Sequence, residues 1–168
     1  ADGLVLVEGN GGDITALRFA AGGGGDSTAP GNISNLSAPS STSNSVTLNW
    51  TAPGDDGTTG TATTYDIRRS TSTINDGNWA SATQVTGEPN PQVAGTAQSM
   101  TVSGLNASTT YYFAMKTSDE VPNTSGLSNV VSKATTAGGD TTAPSAVSNL
   151  SAPSSTSGSV TLNWTATG

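Results

Sequence analysis

Apolar and polar side chains alternate with a period of two in several short stretches of this chain. Val46, Leu48 and Trp50 fall on one face of such a stretch, and Thr47, Asn49 and Thr51 on the other. Tyr111, Phe113 and Met115 repeat the pattern against Tyr112 and Lys116, and Tyr65 and Ile67 repeat it against Asp66 and Arg68. A two-residue period marks a strand with one face buried. Nowhere do apolar residues recur at helical spacing. The pattern predicts seven strands: a short first one carrying Ile33 and Leu36 and ended by Pro39, then Val46–Trp50, Thr64–Arg69, a short edge strand at Gln84–Val85, one around Met100 and Val102, one through Tyr111–Met115, and a last one at Leu127–Ala134. Proline at the end of the first strand fits its missing N–H. Trp79 lies in the irregular crossing before Gln84. Seven short strands separated by turn signals give an all-β chain folded as an antiparallel sandwich.

The pattern also repeats at long range. Residues 142–168 differ from residues 28–54 at five of 27 positions, and Trp164 stands where Trp50 stands. Three segments follow: residues 1–25, residues 26–137 as one complete sandwich, and residues 138–168 as a linker with the first two strands of a second copy. In the first segment, Leu4–Val7 and Ile14–Phe19 flank the turn signal Asn10-Gly11, which predicts a hairpin. Gly22–Gly25 then reads as a flexible tether.

Residues 28–136 resemble a fibronectin type III domain of the kind found in bacterial secreted proteins. The residues that carry the likeness are Pro30, the Leu36 and Pro39 pair, Val46-Thr47-Leu48-Asn49-Trp50, Tyr65, the series Leu105, Thr109 and Tyr111, and Leu127-Ser128-Asn129-Val130-Val131. The resemblance implies that Tyr111 is a corner tyrosine whose hydroxyl bonds backbone a few residues upstream. Ala107 departs from the proline usual there. Gly12–Phe19 is similar to the last strand of carbohydrate-binding sandwiches. The fold serves spacers, adhesion modules and accessory domains alike, and the chain lacks the Arg-Gly-Asp triplet of integrin ligands.

Composition narrows the partners. Twelve acidic and five basic residues give a net charge of -7, which disfavours nucleic acid and anionic membranes. No apolar run is long enough to span a bilayer. The chain has no Cys and no His, which removes thiol and imidazole chemistry and the usual zinc sites. Asn-X-Ser/Thr triplets begin at Asn32, Asn35, Asn49, Asn106, Asn123, Asn149 and Asn163, each an acceptor in a host that glycosylates.

The candidate chemistry is acidic. Asp55 and Asp56 fall in the loop between the second and third strands, and Asp119 and Glu120 in the loop between the sixth and seventh. In a sandwich of this topology both loops emerge at the end that receives the preceding linker, which carries Asp26. Carboxylates with Asn123 and backbone carbonyls nearby would make an oxygen-only cage for calcium. The competing reading makes the aspartates turn residues, with Asp56 or Asp119 capping backbone or pairing with Lys116 and Arg68. Trp79 and Tyr112 are candidates for a sugar-stacking surface, set against Trp79 as a cover for the core edge. A glycosidase needs two carboxylates across a cleft, and these acids sit on small loops. The expected function is therefore non-catalytic and extracellular: a structural or adhesive spacer in a tandem array, or a filament subunit that self-associates as the hairpin of residues 1–25 adds strands to the half-domain of a neighbour. The alternative is a carbohydrate-binding accessory module of a larger secreted hydrolase.

Overall fold

A computed structural model describes residues 4–8, 14–18, 26–121 and 123–166. The turn signal Asn10-Gly11 and the Gly22–Gly25 tether lie outside the described residues. The chain divides into two compact units, between Gly138 and Gly139.

In the first unit, β1 (Leu4–Glu8) and β2 (Ile14–Arg18) pair antiparallel, with Leu4 opposite Arg18 and Glu8 opposite Ile14. The sandwich follows. One sheet holds β3 (Ser37–Ser41), β4 (Ser45–Thr51) and β7 (Ala97–Ser103) in the order β3-β4-β7. The other holds β5 (Thr64–Ser70), β6 (Thr83–Gln84), β8 (Thr110–Ser118) and β9 (Val131–Ala134) in the order β6-β5-β8-β9. Every pairing is antiparallel. The alternation seen in sequence is the alternation of burial. Val46, Leu48 and Trp50 of β4 and Val102 of β7 face Tyr65 and Ile67 of β5 and Tyr111, Phe113 and Met115 of β8, all in one core. Trp50 meets Tyr65 edge-on, centroids 5.3 Å apart, a favoured aromatic geometry. The backbone N–H of Asn106 donates to the Tyr111 hydroxyl at 3.1 Å, which makes the tyrosine corner.

Several boundaries differ from the sequence reading: the short edge strand is Thr83–Gln84 rather than Gln84–Val85, the strand through Tyr111–Met115 extends to Ser118, and two larger shifts have a physical reason. Pro39 does not end the first strand but lies within β3, where the pairing register shifts between Ser37 and Ser40. This is an edge strand, and an edge position at an irregularity tolerates a residue without an N–H. Ile33 and Leu36 are buried ahead of β3 rather than in it. The last strand is Val131–Ala134 and not Leu127–Ala134. Upstream of it, side chains replace ladder partners: the Ser125 and Ser128 hydroxyls accept from the backbone N–H groups of Thr117 and Met115, both at 2.9 Å. Asn129 accepts from Leu36 N–H and donates to Leu36 C=O, both at 2.9 Å. Side chains that bond backbone this way draw a segment out of regular pairing.

In the second unit, β10 (Ser151–Ser155) and β11 (Val160–Asn163) pair as a hairpin.

Candidate acidic site

The β4–β5 loop turns tightly because Gly57 takes φ +63°, a conformation that costs other residues a Cβ clash. Asp56 and Thr59 exchange backbone hydrogen bonds, both at 3.2 Å. The loop is tied to the segment before the sandwich, since Gly31 N–H donates to Gly57 C=O at 3.0 Å and Gly57 N–H to Ala29 C=O at 3.2 Å. The β8–β9 loop is tied to the same segment through Asn123, whose Nδ2 donates to Asp26 C=O at 3.0 Å. These ties bring one carboxylate from each of three segments together. Oxygens of Asp26, Asp55 and Glu120 lie within 4.8 Å of one another.

The remaining acids are used differently. Asp119 is 5% exposed, and its carboxylate belongs to its own loop. Its Oδ1 accepts from Val121 N–H at 3.0 Å and Asn123 N–H at 2.8 Å, and its Oδ2 from Asn123 Nδ2 at 2.9 Å. Asp56 is exposed. Arg68 and Lys116 serve other acids: Arg68 pairs with Asp66 and Lys116 with Asp76, each at 3.0 Å. Asp55 is half-buried, and its Oδ1 is shut off from water with no hydrogen-bond partner. Loss of hydration, and then the negative charges of Glu120, Asp119, Asp56 and Asp26, push the Asp55 carboxyl above its ordinary value.

The donor set suits a hard cation. Its ligands are oxygens, and their spread is about twice the calcium–oxygen distance of roughly 2.3–2.6 Å, so one ion can reach all three. An orphaned carboxylate oxygen is also a group that a cation would satisfy. Loop topology pointed to Asp26, Asp55, Asp56, Asp119 and Glu120, of which the fold brings Asp26, Asp55 and Glu120 together. Sequence reasoning did not foresee that Asn123 orders the loops through its amide nitrogen.

The aromatic candidates sit elsewhere. Trp79 opens a short 3-10 turn, half-buried. The Arg68 guanidinium lies 4.8 Å and the Lys116 ammonium 5.2 Å from its ring centre. Arg68 also donates to Trp79 C=O at 3.0 Å. Cations thus stack on the indole. Tyr112 is half-buried, and no aromatic side chain among the described residues of the sandwich is exposed. A groove of about 390 Å³ beside the acidic site is lined by Asn32, Thr51, Pro53, Ala94 and neighbouring small residues, without a carboxylate or an aromatic ring.

The family model for the fibronectin type III domain matches residues 29–132. Over 144 residues, 84% of the chain, the sequence is 41% identical to Chitinase A1 of Niallia circulans, of which this stretch covers 18%. Over 143 residues, again 84% of the chain, it is 35% identical to Exoglucanase B of Cellulomonas fimi, of which it covers 11%. The chain therefore spans less than a fifth of either curated relative. Among solved structures, a Fn3-like protein from Clostridium thermocellum is 22% identical with a TM-score of 0.44, covering 62% of this chain and 92% of that one. The tyrosine corner, the two-sheet core and the family match agree: this chain belongs to the fibronectin type III family.

Proposed function

We propose that the chain is a non-catalytic accessory segment of a larger polysaccharide-cleaving enzyme, in which the sandwich spaces other domains. The observation that carries this reading is the likeness, over 84% of the chain, to parts of a protein named a chitinase and another named an exoglucanase. It supports an accessory module over a filament subunit. Polymeric chitin and glucan are too large to enter a cell, so an enzyme acting on them works outside it. A spacer role within that setting follows from the surface. Sugar-binding faces stack exposed aromatic rings on pyranose rings, and the described residues of this sandwich present none. Co-sedimentation of the chain with insoluble chitin and microcrystalline cellulose tests this. The expected result is that the protein stays in the supernatant. Retention that survives high salt would assign the chain a sugar site and restore the carbohydrate-binding reading.

A second reading concerns calcium. Asp26, Asp55 and Glu120, from the preceding segment and two loops, would hold one calcium ion, which would supply positive charge and stiffen the joint where the preceding segment meets the sandwich. The unpartnered Oδ1 of Asp55 favours it. Calorimetric titration with Ca²⁺ is expected to show binding, and Tm is expected to rise as the ion binds the folded form. A flat titration together with an unchanged Tm would remove the metal.

A further inference from the structure

The two copies of the repeated hairpin share sequence and local geometry, so each is a candidate for the same place in the sandwich. In both, residues equivalent by sequence pair in the same register: Ser37 with Asn49, Ser40 with Thr47 and Ser41 with Val46 in the first, and Ser151 with Asn163, Ser154 with Thr161 and Ser155 with Val160 in the second. The second presents the same apolar face, with Val160 61%, Leu162 50% and Trp164 60% exposed. Nothing along that face tells the copies apart, since Val46, Leu48 and Trp50 have identical counterparts.

The differences lie elsewhere. They are Gly31/Ser145, Asn32/Ala146, Ile33/Val147, Asn44/Gly158 and Pro53/Thr167. Three of the five are consecutive, and each meets a contact special to the first sandwich. A Cβ at Gly31 would lie 2.3 Å from Gly57 O, a separation no side chain tolerates against backbone, so a serine there forces the Gly31–Gly57 hydrogen bond open. Asn32 Oδ1 accepts from Gly126 N–H at 2.8 Å, a bond alanine cannot make. Ile33 is 4% exposed in the core, where valine leaves a methyl-sized void. By contrast, Asn44 and Gly158 occupy turns of one design, with Thr42 N–H bonded to Ser45 C=O at 2.9 Å and Thr156 N–H to Ser159 C=O at 2.8 Å.

We propose that residues 31–33 are a specificity determinant by which the sandwich accepts its own β3–β4 hairpin and rejects the β10–β11 hairpin, whether from the same chain or a second copy. Identity along the apolar face makes the wrong hairpin a true competitor. The steric and hydrogen-bond mismatch at residues 145–147 excludes it. This is discrimination by an introduced clash and a withdrawn partner rather than by better packing.

Disulfide trapping in the full chain tests this, since the chain has no cysteine of its own. Thr47 and Thr101 are directly opposite on β4 and β7, with hydroxyls 3.4 Å apart, within reach of a disulfide. T47C/T101C therefore reports correct docking. T101C/T161C reports the wrong hairpin on β7, with cross-linked monomer for exchange within a chain and covalent dimer for exchange between chains. After refolding and oxidation, T47C/T101C is expected to close nearly completely and T101C/T161C only weakly. Adding S145G, A146N and V147I, all outside the sandwich, is expected to raise the T101C/T161C yield severalfold. Two results would overturn the proposal: T101C/T161C closing as fully as T47C/T101C in the original background, or the triple change leaving its yield low.

Discussion

Residues 28–54 and 142–168 are a comparison built into the chain: nearly the same sequence, differing at five of 27 positions. Their local structure is the same. Asn35 receives Thr51 N–H at 3.1 Å and Asn149 receives Thr165 N–H at 3.1 Å. Upstream, Asp26 and Asp140 make the same short turn, accepting from Thr28 and Thr142 N–H at 2.9 and 2.8 Å. Their burial is opposite. Trp50 is 3% exposed and Trp164 60%; Leu48 is fully buried and Leu162 half exposed. Register and turns are therefore set by bonds within the hairpin, while burial of the first copy comes from β5 and β8 closing over it. An isolated hairpin is marginal in water because its apolar face stays wet.

The widest divergence is expected at the tryptophans. Trp50→Ala should cost about 3–5 kcal/mol, as large core truncations do, and Trp164→Ala less than about 0.5 kcal/mol, as exposed changes do. Denaturant unfolding of both variants checks this, and equal losses would mean that the second hairpin is covered as well. Next in size is the corner that fixes β8 over the first copy. Tyr111→Phe leaves the Asn106 N–H without its acceptor and should cost about 1–3 kcal/mol; an unchanged unfolding midpoint would deny that bond its role.

The asparagine pairs sharpen the comparison because they are geometrically equal. Asn35→Ala should lower global stability by about 1 kcal/mol. Asn149→Ala should leave it unchanged and instead speed hydrogen exchange of the Thr165 amide. Global loss from Asn149→Ala would show that the second hairpin belongs to the cooperative unit. The smallest effect is expected at the acids. With a chelator present, Asp55→Asn removes like-charge repulsion and should raise Tm slightly, while abolishing any rise caused by Ca²⁺. Asp140→Asn should alter neither, since among the described residues Asp140 belongs to no cluster of carboxylates. Differential scanning fluorimetry of the two variants distinguishes these outcomes.

Most of the sandwich was legible because each buried strand writes its burial as alternation. Val46–Trp50 and Thr64–Arg69 appear within one residue of their sequence-based limits, and the strand through Tyr111–Met115 runs on three residues further to Ser118. The edges were less legible for a physical reason. Pro39 looks like a strand terminator, yet an edge strand needs no donor from it. Leu127–Val130 looks like a strand, yet Ser125, Ser128 and Asn129 satisfy neighbouring backbone with their side chains. Among the acids, loop topology indicated which end of the sandwich they share. It could not indicate that Asp119 would be consumed by its own loop while Asp26, Asp55 and Glu120 converge, because that depends on how three distant segments are tied together.

By itself the sequence determined the buried strands and the family, since alternation and the family's residues can both be read along the chain. Tertiary structure alone decided which distant segments meet and which carboxylates lose their water. Burial is a property of what lies opposite: Trp50 is buried because Tyr65 and the rest of the facing sheet lie across from it.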